Sequence, residues 1–249
     1  MRIRFLLGLT LAITAVLAGC GDAALMEDDD VELAVGVDGK ADRAASSIAA
    51  MSATYYEVRV DARRCAFPMC GGYLVNRANF STTRCNDGGY RDACYVVDMD
   101  LANGVGLSPD EIDAFRADIR AGRALLRGSI KSATYGSQLL GFFVPTEAWR
   151  SATDRAPTGT FYKVTDRHVV CVAAPCPSYQ EYKLNSTRNQ PIHDIDLSAA
   201  GGDATTMNAV LSGIDQVPVL AVGQNDSYAT GGRTGTRLDA NQYYLRVSP

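Results

Sequence analysis

From residue 54 onward, apolar and polar positions alternate in short runs that predict strands, interrupted once in each half by a helical pattern. Tyr55 to Val60 and Tyr73 to Ala78 are rich in aromatic and branched residues and read as a strand pair. Tyr95 to Leu101 sets Tyr95, Val97, Met99 and Leu101 against Val96, Asp98 and Asp100, which predicts a third strand with one buried face. Ser108-Pro109-Asp110-Glu111 then supplies a capping Ser, a Pro at the first helical position and a Glu three residues after the cap. The helix begun there has an inner stripe of Ile112, Phe115 and Ile119, and Gly122 can end it. Ala124 to Ser132 and Gln138 to Val144 give two further strands.

The order then repeats. Sliding residues 55 to 79 onto 161 to 185 without a gap superposes Tyr55 on Phe161, Tyr56 on Tyr162, Val58 on Val164, Cys65 on Cys171, Cys70 on Cys176, Tyr73 on Tyr179 and Asn79 on Asn185. Asp98, Asp100 and Leu101 meet Asp194, Asp196 and Leu197 at an offset of 96, while Leu125, Gly128 and Ser132 meet Leu220, Gly223 and Ser227 at 95. The second copy predicts strands over Thr160 to Val172, Tyr179 to Asn185 and Ile192 to Leu197, a helix from Asp203 to Ser212 ended by Gly213, and strands over Val217 to Gly223 and Gln242 to Val247. It lacks the segment around Cys85 and Cys94. Polar Ser151 to Gly159, with Pro157, separates the copies. Three strands, a helix, then two strands is the order of a five-stranded Greek-key barrel of the OB type. The expected fold is therefore mainly β with short helices: two tandem OB-like five-stranded barrels, residues 54–150 and 160–249, each with a helix between strands three and four. Closure suits so short a unit because it removes exposed edges. Two open meanders with a packed helix fit the same pattern. The architecture resembles the netrin or metalloproteinase-inhibitor module, without the N-terminal Cys-x-Cys with which such inhibitors grip zinc.

The first fifty residues decide the compartment. Arg2 and Arg4 precede an apolar run from Phe5 to Ala18, right in length for an export signal and short for a span. It ends in Leu17-Ala18-Gly19-Cys20, which resembles a bacterial lipobox. Residues 1–19 read as a lipoprotein signal peptide and Cys20 as a lipidated first residue anchoring the chain to a membrane. Residues 20–53 carry Glu27-Asp28-Asp29-Asp30 and no aromatic residue, so they read as an acidic tether reaching about 30 Å. Loss of Arg2 and Arg4 with the signal deepens the formal charge of −4 by two. An acidic protein lacks the Lys and Arg surplus that nucleic acid requires, so no nucleic-acid partner is expected.

Seven cysteines minus Cys20 leave six, which in an exported protein implies disulfides. The duplication selects a pairing, because a bridge within each copy joins Cys65 to Cys70 and Cys171 to Cys176 and leaves Cys85 for Cys94. Zinc is the competing reading, but these spacings are not the short pairs of zinc ribbons. With the lipobox and tether, the motifs Arg64-Cys65, Cys70-Gly71-Gly72-Tyr73, Cys94-Tyr95-Val96 and Cys176-Pro177-Ser178 resemble an uncharacterised family of myxobacterial envelope lipoproteins with a domain of unknown function. The resemblance covers about residues 54–249 and implies a shared fold without a known activity.

Candidate chemistry is sparse. His168 and His193 lie in predicted strands, face Ala62 and Val97 in the alignment, and read as structural. No nucleophile elbow, zinc-protease helix or phosphate loop is present. Asp98 and Asp100 near Asn103, Gly104 and Glu111 echo a calcium loop out of register by one, and read more simply as the polar side of a strand. Gly71-Gly72 and the bridged loops suggest a contact surface. The expectation is a non-catalytic binding or structural module of the bacterial cell envelope, without a cofactor or metal, anchored through Cys20 and meeting an envelope protein or glycan. A protease-inhibitor-like module and an enzyme of unknown reaction are the alternatives.

Overall fold

The computed structural model describes residues 54–247; the expected signal peptide, Cys20 and tether lie outside them. The chain is mainly β with short helices. Strands β1 (Thr54–Val60), β2 (Tyr73–Arg77) and β5 (Cys94–Met99) are the expected first three, with a small hairpin, β3 (Thr83–Arg84) and β4 (Tyr90–Arg91), inserted before β5. Helices α1 (Leu101–Val105) and α2 (Pro109–Arg120) follow, then a long hairpin of β6 (Ala124–Tyr135) and β7 (Gln138–Ser151).

These five main strands close on themselves. β1 pairs with β2 and β6, β2 with β5, β6 with β7, and β5 runs parallel to β7. The order around the barrel is thus first, second, third, fifth, fourth, with α2 between the third and fourth. Helix α2 starts as its residues dictate: the Ser108 N–H donates to the Glu111 carboxylate at 2.8 Å, and Pro109 occupies the first turn. Phe115 and Ile119 bury against Tyr56, Val58, Val75, Val96, Leu126 and Phe143 in one core.

Some expectations need correction. Leu101 is not in the third strand but opens α1, because the Asp100 carboxylate accepts from the Asn103 N–H at 3.0 Å and Gly106 takes the left-handed conformation that stops the turn. Strand β6 outruns the expected end at Ser132 because the exposed hairpin tip has cross-strand hydrogen bonds but no buried face to write an alternation into the sequence, and β7 runs on past Val144, through Pro145 at a register shift, to buried Ala148 and Trp149. The hairpin bends at Gly128, where the register shifts and an added Cβ would lie 2.8 Å from Pro145 Cα. Gly223, its partner in the alignment, sits at the matching shift in the second copy.

The second copy comprises β8 (Thr160–Asp166), β9 (Tyr179–Lys183), β10 (Asn189–Ile192), β11 (Asp194–Asp196), a 3₁₀ turn at Ser198–Ala200, α3 (Ala204–Ser212), β12 (Val219–Thr230) and β13 (Arg233–Val247). Strand β8 ends at Asp166 rather than Val172, because the chain enters the Cys171 loop. Pairings of β8 with β9 and β12, of β12 with β13 and of β11 parallel to β13 match the first copy register for register. The third strand differs. It is split at His193 into β10, which pairs with β9, and β11, which pairs with β13. A second core of Val164, Ile192, Ile195, Leu197, Ala221, Leu238 and Tyr243 fills this half.

A single eleven-stranded sheet runs through both copies. They join where β7 pairs antiparallel with β13: Arg150 opposes Leu245, flanked by Trp149 with Arg246 and Ser151 with Tyr244. At the offset of 95, Arg150 and Leu245 are equivalent residues and the flanking pairs exchange, so a local two-fold axis passes through this pair. The same symmetry governs two asparagines. Asn185 accepts from the Tyr55 N–H at 2.8 Å and donates to Tyr55 O and Ala78 O at 2.8 and 2.9 Å. Asn79 reciprocates, accepting from the Phe161 N–H at 2.8 Å and donating to Phe161 O and Leu184 O at 2.8 and 3.1 Å. Each copy thus clamps the first strand of the other. Tyr55, Ala78, Leu125, Trp149, Phe161, Leu184, Leu220, Val222 and Tyr244 bury together in this seam. The connector after Ser151 is held by buried Gln242, whose amide donates to Thr153 O at 3.0 Å and Arg155 O at 2.6 Å.

Candidate functional site

The six cysteines stand in the three expected pairs at disulfide distance, with Cα separations of 5.7 Å for Cys65 and Cys70, 5.3 Å for Cys85 and Cys94, and 5.7 Å for Cys171 and Cys176. The first and third close the loops between the first two strands of each copy. Those strands start and finish at the seam, at Tyr55 and Ala78 in one copy and Phe161 and Leu184 in the other, so each loop lies at the far end of its hairpin, roughly 20 Å away. The two bridged loops therefore do not form one edge; each faces away from the seam.

The first loop is braced from below. Asp61, almost fully buried, receives the Arg63 guanidinium through two nitrogens at 2.9 and 2.8 Å. These hydrogen bonds outweigh burial and hold its carboxyl below the usual range. The same guanidinium lies 5.1 Å from the centre of the Tyr95 ring, and the Tyr95 hydroxyl donates to Pro68 O at 2.7 Å. Burial pushes that hydroxyl up. Gly72 must be glycine, since an added Cβ would lie 2.8 Å from Val97 O. The loop presents Phe67, 68% exposed, edge-on to Tyr135 at the tip of the β6–β7 hairpin, with centroids 6.5 Å apart.

Beside this loop runs a groove of about 310 Å³, with Leu74, Tyr95 and Leu139 from the second, third and fifth strands on its lining. Asn86, Asp87 and Arg91 supply a polar wall, and all three belong to the Cys85–Cys94 insertion that only the first copy has. Arg91 chelates Asp87 through two nitrogens at 2.8 and 2.6 Å, which holds the Asp87 carboxyl well below its ordinary range.

The other singled-out residues do not join this groove. The His193 N–H donates to Thr236 O at 2.8 Å and its Nδ1 accepts from the Thr236 N–H at 2.9 Å, so the ring secures the strand break. His168, left-handed at φ 51° and exposed, is 3.6 Å from Asp166. Asp100 and Glu111 are spent on helix starts and Asp98 receives the Met99 N–H at 2.8 Å, so these carboxylates do not converge. Asn79 and Asn185 were visible as an aligned pair, but their role needed the seam.

The profile of one protein family, described as domain of unknown function (DUF6748), matches residues 54–249. The chain belongs to this family. No curated protein and no solved structure matches it. The matched segment of DUF6748 starts at β1 and takes in both copies, so the family's unit is the fused pair.

Proposed function

We propose that this DUF6748 protein is a lipid-anchored module of the bacterial cell envelope that binds a surface glycan without turning it over. The carrying observation is the groove beside Tyr95. A 310 Å³ trough lined by Tyr95 and by amide, carboxylate and guanidinium groups suits a hydroxyl-rich chain. The strand order, with a helix between strands three and four, is that of an OB-type barrel, in which the face of strands two and three and the adjoining loops take oligosaccharides. Register-matched pairings support reading the second copy as the same barrel, opened at His193. Three disulfides support an oxidising compartment outside the cytoplasm. The resemblance to myxobacterial lipoproteins and the lipobox at Cys20 support the anchor, which labelled palmitate tests: wild type incorporates it and Cys20→Ala does not.

The glycan reading is tested by sedimenting the protein with isolated envelope polysaccharide. Tyr95→Ala and Leu139→Asp are expected to weaken retention about tenfold or more, with the polysaccharide recovered at its original size. Retention equal to wild type in both variants, or shortening of the polysaccharide, would overturn it.

A further inference from the structure

The second copy holds a carboxylate where the first has apolar core. Glu181 on β9 is the register equivalent of Val75: Val75 opposes Val58 and Cys94, and Glu181 opposes Val164 and Gln190. Both side chains are buried, Val75 at 0% and Glu181 at 2% exposure. Oε1 of Glu181 accepts from Asn225 Nδ2 at 2.8 Å and Gln190 Nε2 at 3.2 Å. Those residues replace Ile130 and Cys94, so three apolar positions have become polar together. Oε2 is buried and accepts no hydrogen bond from the described residues. A buried carboxylate oxygen without a donor is costly to keep, and a fold that needed only packing would have no use for it.

Glu181 lines a cavity of about 200 Å³ with Tyr162, Lys183, Arg188, Asn189 and Gln190. Its origin is the missing insertion. In the first copy, Tyr56 and Val75 pack with Cys85 and Cys94, and the Arg77 N–H donates to buried Thr83 at 2.7 Å. Tyr162, Glu181, Gln190 and Lys183 are the equivalents of Tyr56, Val75, Cys94 and Arg77. In the second copy the Lys183 N–H donates to Arg188 O at 3.0 Å instead, and no bridged cysteine corresponds to Cys85, so the cavity lies where that insertion would pack.

We propose that this cavity binds a small zwitterion of the α-amino-acid class, its ammonium held by the Glu181 carboxylate and its own carboxylate meeting Lys183 and Arg188. A buried carboxylate calls for a cationic partner. Two basic side chains lining the same small cavity disfavour a simple cation and favour a ligand that carries an anion as well. Lys183 shares the inward side of β9 with Glu181, two residues along. This site is independent of the glycan groove, which lies in the other copy.

The test is calorimetric titration of the full chain with glycine, alanine and serine, and with ethylamine and propionate as analogues carrying one charge each. Wild type is expected to bind at least one amino acid and to bind either analogue about tenfold more weakly or worse. Glu181→Gln, which keeps the shape, should weaken amino-acid binding about tenfold or more, and Glu181→Val should abolish it. Lys183→Ala with Arg188→Ala should weaken amino acids and leave ethylamine unchanged. Retention of the polysaccharide should be the same in wild type and Glu181→Val, which separates failure of this site from failure of the groove. Amino-acid binding that survives Glu181→Val, or wild type that binds none of the three, would overturn the proposal.

Discussion

Replacing Asn185 by Ala tests whether the two copies are one cooperative unit. The substitution deletes the acceptor of the Tyr55 N–H and the donors to Tyr55 O and Ala78 O. Ala78 is fully buried, and an orphaned buried polar group costs about 1–3 kcal/mol, while half-buried groups recover part of that from water. Asn185 also has φ 58°, a left-handed conformation that costs alanine roughly 1 kcal/mol or more. The expected loss is about 3–4 kcal/mol, or about 8–12 °C in Tm for a domain of this size. Asn185→Gly, free of the backbone strain, should lose about 1 kcal/mol less. Asn79→Ala should match Asn185→Ala because the two sites are related by the local two-fold, and the double variant should fall short of the sum, since the second cut meets a seam already weakened. Urea denaturation followed by circular dichroism measures all four. A change within about 0.5 kcal/mol for Asn185→Ala would refute the clamp, and two separate transitions in wild type would refute the single unit.

Three further outcomes follow from named groups. Burial raises the Glu181 carboxyl, against lowering by hydrogen bonds from Asn225 and Gln190. The folded state therefore holds its proton more tightly than the unfolded chain, and stability falls as pH rises from the ordinary 4.5 through the raised value. Glu181→Val should accordingly stabilise by about 1–3 kcal/mol, with a larger gain at pH 8 than at pH 4 by thermal melting; a destabilised variant would show that the carboxylate supports the fold. Glu147 behaves oppositely. Burial raises it, but hydrogen bonds from Arg127 and Trp149 and the Arg127 charge win, so its carboxyl sits below the ordinary 4.5. Its contribution is present above that value and lost as pH falls through the lowered one, so the stability gap between wild type and Glu147→Gln should shrink on acidification, and a pH-independent gap would contradict this. Finally, non-reduced peptide mapping should find only the three local bridges, and removing Cys85–Cys94 as a pair of alanines should cost about 2.5 kcal/mol by loop entropy; any sulfur link between the copies would contradict the pairing.

Local and repeated features could be read from the chain directly. The start of α2 at Ser108 was legible because capping involves residues three apart, and two cysteine pairs were legible because the duplication carried them, which left Cys85 for Cys94. The glycine bends at Gly128 and Gly223 could be aligned without knowing their cause. The exposed tip of the β6–β7 hairpin and α1 were misread for a shared reason: an exposed ladder leaves no hydrophobic period, and a five-residue helix is too short to override the alternation running into it. The assembled fold was needed to show what the matching asparagines do, because their hydrogen-bond partners lie 82 to 130 residues away and belong to the other copy. It likewise decided that one copy's insertion walls a groove while its absence from the other leaves a polar cavity. A sequence records which side chains are present, but whether a carboxylate at Glu181 meets water, a partner or nothing depends on what fills the space beside it, and that space is made by strands brought together from across the chain.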